Sequence, residues 1–258
     1  MGHTENAPLP LSVQRQRNLP ASAAFGWLKA GWKDLWFRPL PSLAYGLLVF
    51  FLSIVIVWGM FRFQLDYILF PALAGFMVVG PLVAIGLYQK SRDIEDGHLP
   101  SLLRMIFVRA KSGAQVWFTG AILCLLMLVW MRAAVIIYAL FFGLRPFPGL
   151  GDVASLLVST PEGWGMLLVG TAVGGLFAAF SFAISTFAVP MLLAEKVDAF
   201  TAMGTSISLV FRNLPVMLMW GAIVLTLFLV SVVTGLVGLI AIFPLLGHAT
   251  WRSYKAIR

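Results

Sequence analysis

Few side chains in this 258-residue chain could carry chemistry, and Arg132 is the sharpest candidate. It is the only charged residue in a long apolar run from Val116 to Phe142. A charge in that setting is costly and often belongs to a substrate path. Arg132 also lies 16 residues after Val116, about 24 Å along a helix, where its side chain can snorkel to the far interface. The second candidate is His248, between Pro244 and Trp251 and one turn before Arg252. A haem or metal would need a second ligand at suitable depth, and His3 and His98 lie in polar segments. Interfacial hydrogen bonding is therefore the expectation for His248, with no metal or other cofactor. Asp34, Asp66, Asp152 and Glu162 fall in loops or at interfaces, with no pair inside an apolar run to relay protons. Ser181, Ser185 and Thr186 read as bonding their own backbone or a neighbouring helix. The 11 methionines read as gap-fillers, and Cys124 as a small core residue. The chain has no Walker loop, dinucleotide fingerprint, Gly-x-Ser-x-Gly elbow or Cys/His metal spacing, so no enzymatic activity is expected.

What positions these residues is a chain that is 60% hydrophobic and 11% charged, with mean hydropathy +0.95. That is more apolar surface than a soluble fold of this size can hide. The apolar residues gather in runs of about 20, enough for a helix to cross a hydrocarbon core of roughly 30 Å. The runs do not alternate polar with apolar as membrane strands do. The fold class is therefore all-α, a polytopic helical membrane protein. The net charge of +8 is not clustered among exposed aromatics in a polar domain, so it sets orientation and does not bind nucleic acid. Met1 to Pro41 has no short apolar core of the kind a cleaved secretory signal needs.

Residues 1–20, with Pro8, Pro10 and Pro20, read as a disordered cytoplasmic tail preceding a single transmembrane domain over 21–258. Phe25, Leu28, Trp32, Leu35 and Trp36 form one helical stripe, with Lys29 and Lys33 off it, as in an interfacial helix. The segment Leu35-Trp36-Phe37-Arg38-Pro39-Leu40-Pro41 ends that helix, and Leu209-Val210-Phe211-Arg212-Asn213-Leu214-Pro215 echoes it. Arg38 and Arg212 are read as topology anchors. Six spans are expected, about 42–61, 67–88, 116–142, 164–191, 216–230 and 236–251, arranged as three hairpins. An amphipathic interfacial helix should precede each hairpin, the second starting near Leu102 and the third capped by Asp198. Leu144 to Gly163 reads as a Pro/Gly-rich loop with Asp152 as a cap. Pro81, Pro190 and Pro244 recur in the second helix of each pair. Gly170, Gly174 and Ala178 recur at every fourth position and would admit a close helix neighbour. With six spans, Lys and Arg fall overwhelmingly on one side, opposed only by Arg62 and Arg145. That places both termini in the cytoplasm.

Assembled, the chain resembles an uncharacterised bacterial integral membrane family, some of whose members are labelled a cytochrome c oxidase subunit. The resemblance rests on Gly31-Trp32-Lys33-Asp34-Leu35 leading into Leu40-Pro41-Ser42-Leu43-Ala44-Tyr45-Gly46, on Gly80-Pro81-Leu82, on Thr160-Pro161-Glu162-Gly163, and on Pro244-Leu245-Leu246-Gly247-His248-Ala249-Thr250-Trp251. It implies a bacterial inner-membrane location and no established activity. A catalytic oxidase subunit needs several intramembrane histidines, and only His248 is on offer, so an accessory association is the most the label can describe. The expected function is a non-enzymatic accessory or scaffold component, working in the bilayer with a membrane-complex partner or as a homo-oligomer. The alternative is a small-solute or lipid transporter with a path near Arg132.

Overall fold

The computed structural model describes residues 18–143 and 147–258. The expected tail over residues 1–20 therefore lies outside the described residues up to position 17, as do Arg145 and Pro146. Every described element is helical: α1 Ala23–Trp36, α2 Pro39–Arg62, α3 Leu69–Val83, α4 Ile85–Glu95, α5 Leu102–Ile106, α6 Gly113–Phe142, α7 Leu150–Ser159, α8 Pro161–Ser185, α9 Ala188–Ala194, α10 Ala199–Arg212, α11 Leu214–Val233 and α12 Leu239–Ile257, with one 3-10 turn at Asp66–Ile68.

Five stretches are long and apolar enough to cross a membrane: α2, the α3–α4 run from Asp66 to Glu95, α6, the α8–α9 run from Pro161 to Ala194, and α11. The segment expected as a sixth span, 236–251, differs. The chain turns at Gly235 and Leu236, both in the left-handed region (φ 63° and 68°), and α12 then runs on to Ile257. Its second half carries His248, Arg252 and Lys255, which keeps it out of the apolar set.

The long helices do not pair simply in sequence order. α2 packs mainly on α12, α3 on α6, and α6 on α8, while α1 lies against α12. Two glycines explain how closely α12 is approached. A Cβ on Gly46 of α2 would run into the carbonyl oxygen of Ile240 and sit 2.9 Å from the Pro244 ring. Pro244 has no N–H to give that carbonyl, so the helix is already open where Gly46 fits. A Cβ on Gly31 of α1 would meet the Ala249 backbone at 2.6 Å.

Both interrupted runs are mended by side chains from other helices. The α3–α4 break falls at Ala84, beside Pro81, and the Tyr45 hydroxyl donates to the Val83 carbonyl at 2.7 Å. The α8–α9 break falls at Thr186 and Phe187, four and three residues before Pro190. There Ser206 of α10 accepts from the Phe187 N–H and donates to the Ala183 carbonyl. Unpaired backbone groups at these depths would be costly without such partners.

Three local expectations need correction. α1 buries Trp27, Gly31, Asp34 and Leu35 and exposes Phe25, Trp32 and Trp36, so Leu35 sits on the protein side of the helix and not on the outer stripe. The helix expected before the second hairpin shrinks to the five residues of α5, capped by the Ser101 hydroxyl, with Met105 buried and its carbonyl oxygen facing Gly86 of α4. The loop expected over 144–163 contains the ten-residue α7, which starts after Gly149, so Asp152 lies in its first turn and not at its cap. Asp198 does cap α10, accepting from the Thr201 N–H at 2.9 Å.

Gly46→Ala is expected to lower the unfolding free energy in detergent by about 1–3 kcal/mol through overpacking against α12. Gly26→Ala, where a Cβ meets nothing within 4 Å, should be neutral or stabilising by up to about 1 kcal/mol. Thermal unfolding of the two purified variants checks the contrast.

Candidate functional site

The densest chemistry lies at the end of the bundle where α1, α2, α4 and α12 meet. The Lys90 ammonium of α4 reaches three oxygens: the Ser42 hydroxyl at 2.6 Å, the Arg38 carbonyl at 3.0 Å and the Leu35 carbonyl at 3.4 Å. Three acceptors use all three protons of a charged lysine, and a neutral amine could not supply them. The two carbonyls belong to the C-terminal end of α1 and the linker after it, where unpaired C=O groups favour a cation. Arg38 holds its carbonyl there by adopting the left-handed region (φ 52°), which is uncommon outside glycine.

From Lys90 the bonding directions can be assigned along the chain of partners. Ser42 accepts from Lys90, so its own hydroxyl points to His248 Nε2 at 2.8 Å. At the other end Ser91 donates to Asp34 Oδ2 at 2.8 Å, so it must accept from His248 Nδ1, also at 2.8 Å. Both constraints give the same answer: His248 is neutral, with its proton on Nδ1. An imidazolium would place a second cation beside Lys90 and strand the Ser42 proton. Arg252 closes the chain with two bonds to Asp34, at 2.7 and 2.6 Å, and a third to Glu95 at 2.8 Å. Two cations thus face two carboxylates. Ser42, Lys90, Ser91 and His248 are fully buried, and Asp34 is nearly so.

Lys90 acts in this arrangement as a donor to three oxygens, and Ser42 lines neither of the two apolar cavities described below. His248 has both ring nitrogens engaged, leaving none for a metal or haem. The arrangement fits a buried clamp joining four helices. A neighbouring pair, Arg104 to Asp93 at 2.9 Å, ties α5 to α4.

The candidates named from the sequence are scattered. His248 is central to the clamp. The Arg38 and Arg212 side chains are exposed, and Arg38 contributes through its backbone. Arg132 is exposed, and lies 19 residues along α6 from Gly113, about 28 Å and near the full depth of the hydrocarbon. Gly170, Gly174 and Ala178 line an apolar cavity of about 1240 Å³ bounded by α3, α6, α8, α11 and α12. The rim of Trp130 sits over Gly174, whereas nothing lies within 4 Å of a Cβ on Gly170. Ser181, Ser185 and Thr186 bond carbonyls of their own helix. Sequence reasoning missed Lys90, Ser42 and Ser91, and treated Asp34 as an interface carboxylate. The available signal was that Asp34 shares a helix face with Trp27 and Gly31, and that His248 and Arg252 are one turn apart.

Residues 69–194 match a family model described as a predicted integral membrane protein (DUF2189), consistent with the uncharacterised membrane family that the sequence resembles. The matched stretch runs from α3 to α9 and includes Lys90 and Ser91, but not Asp34, Ser42, His248 or Arg252. No curated protein and no solved structure matches the chain.

Asp34→Ala should destabilise the protein by about 3–5 kcal/mol, because it leaves Arg252 without its main partner in a largely buried site. Lys29→Ala, on the exposed side of the same helix, should change stability by less than about 0.5 kcal/mol. Chemical unfolding in detergent micelles compares the two.

Proposed function

We propose that this protein is a non-enzymatic accessory component of another membrane complex, held in shape by its polar clamp and receiving a partner's transmembrane helix in the large apolar cavity. The cavity carries this reading. At about 1240 Å³ it exceeds the roughly 300–1,000 Å³ of ordinary small-molecule pockets. Along α8 its lining runs from Met166 to Thr186, about 30 Å, the length of a spanning helix. Its wall includes Gly170, Gly175 and Ala178, and both glycines have open space above them. Small residues let a second backbone approach closely in lipid. Ser181, Ser185 and Thr186 face this space with their hydroxyls already bonded, so an apolar occupant suits it.

In this reading the clamp end faces the cytoplasm of a bacterial inner membrane. α12, about 28 Å long over its 19 residues, returns both termini to that side as a sixth and sheltered crossing. A transport path near Arg132 has less support. The cavity lining is overwhelmingly apolar and leaves Arg132 out, although Trp130 and Ala134 on either side of it take part. Respiratory complexes are the class of partner to which the family resemblance points.

Purification in mild detergent followed by mass spectrometry of co-eluting proteins tests the proposal. A partner with its own transmembrane helix should co-elute with the natural chain and be lost from Gly170→Leu, which fills the groove where space is free. A chain that runs alone in both forms contradicts it.

A further inference from the structure

A second, smaller apolar groove lies between α6, α8 and α10, away from the large cavity. It has a volume of about 490 Å³ and is lined by Ile122 and Val129 of α6, Phe180 and Ile184 of α8, and Phe200 and Gly204 of α10, among others. From Ile122 to Val129 it runs seven residues, about 10 Å. Counted from Gly113, it covers positions 9 to 16 residues into α6, about 13 to 24 Å along the helix, within reach of the end of an acyl chain whose headgroup lies at the start of α6. A spanning helix is too long for it, whereas a single acyl chain is not.

At its Phe200 end the groove adjoins the two segments that carry three cations near the clamp end. The 109–112 segment is laced to the 195–199 segment: Lys111 and Ser112 donate their N–H groups to the Leu193 and Leu192 carbonyls, and the Ser112 hydroxyl donates to the Glu195 carbonyl and accepts from the Val197 N–H. Gln115 accepts from the Ala199 N–H. This lacing brings exposed Arg109 and Lys111 to the same rim as exposed Lys196. None of the three pairs with a carboxylate among the described residues. The nearby carboxylates are otherwise engaged: Glu195 bonds Tyr254 and Arg258, and Asp198 caps α10. Arg92, on α4, gives its guanidinium to the Leu193 carbonyl and to Asp96. Close by in sequence are the rings of Phe118 and Phe200, 5.5 Å apart, and exposed Phe107 and Trp117. Aromatics and cations are the two features by which proteins hold the interface of an acidic leaflet.

We infer that this groove is a binding site for a phospholipid with an anionic headgroup, one acyl chain lying between α6 and α10 and the phosphate facing Arg109, Lys111 and Lys196. Two independent features point to this occupant: the short lined length matches an acyl chain rather than a crossing helix, and the cations on the adjoining segments attract an anionic headgroup. The site stands apart from the large cavity, so it does not depend on the partner reading above.

The test uses the full chain, delipidated in detergent and titrated with phosphatidylglycerol or phosphatidylcholine of the same chains, with retained lipid counted by native mass spectrometry. Phosphatidylglycerol should be retained in clear preference, by about fivefold for each lysine engaged. Lys111→Gln with Lys196→Gln should abolish the preference, and the double arginine variant should keep it. Gly204→Leu should reduce retention of both lipids, since a Cβ there meets nothing within 4 Å and the longer side chain enters the groove. Leucine is the better helix former, so α10 is not threatened. Equal retention of the two lipids, or phosphatidylglycerol retention unmoved in both the glutamine and Gly204→Leu variants, overturns the proposal. So does a co-purifying protein whose loss from Gly204→Leu is matched by no change in lipid. Loss of a partner on Gly170→Leu alone bears only on the large cavity.

Discussion

The structure depends on pairing two buried charges, Lys90 and Asp34, and a buried histidine with the partly exposed Arg252 and the exposed Glu95 at one end of the bundle. Lys90 and Arg252 balance Asp34 and Glu95, and Ser42, His248 and Ser91 bridge them, with the Nδ1-protonated neutral histidine completing the set of donors and acceptors. A buried charge that loses its partner costs several kcal/mol, so such a network is favourable only when complete. Completion demands that α1, α2, α4 and α12 come together in one geometry. Gly31 and Gly46 let α12 come close enough, and the left-handed Arg38 turns its carbonyl to Lys90. The same demand explains why α12 has a polar second half, since that half is where the network closes.

Beyond the clamp the molecule is governed by the opposite condition. The transmembrane helices present apolar surface almost throughout, and the serine and threonine hydroxyls along α8 are bonded to carbonyls of their own helix. Backbone groups freed at the α3–α4 and α8–α9 breaks are taken up by Tyr45 and Ser206. What remains open is apolar. The two grooves differ in length: along α8 the larger is lined from Met166 to Ser185, and along α6 the smaller from Ile122 to Val129.

Much of the architecture was legible because lipid leaves few choices. Apolar runs of spanning length, a break near Ser231 to Gly235, and Asp198 as a cap all follow from hydropathy, turn chemistry and backbone donors. The side-chain arrangement was harder to read for a physical reason. Lys90, Asp34 and Arg252 look like surface charges in a one-dimensional reading, because charge near the end of an apolar run usually marks the water boundary. What turned them inward was pairing between residues 218 apart, as in Asp34 with Arg252, and no local pattern reports such a distance. His248 was marked out by its hydrophobic neighbours, yet its serine partners carried no signal, since serine is common at helix ends. Arg132 drew attention for its setting. In the structure it is exposed on α6, apart from the network and outside the lining of both grooves, although Trp130 and Ala134 beside it line the larger one.

The central claim is that a complete, neutral-histidine network locks the charged end, and the protonation state of His248 reports on it most directly. Nitrogen-15 solid-state NMR of the protein in bilayers resolves the three histidines of the chain. The account predicts that at neutral pH His248 shows a protonated Nδ1 and an unprotonated Nε2, with a ring proton protected from exchange with water. A doubly protonated ring, or one exchanging as freely as His98, would contradict it.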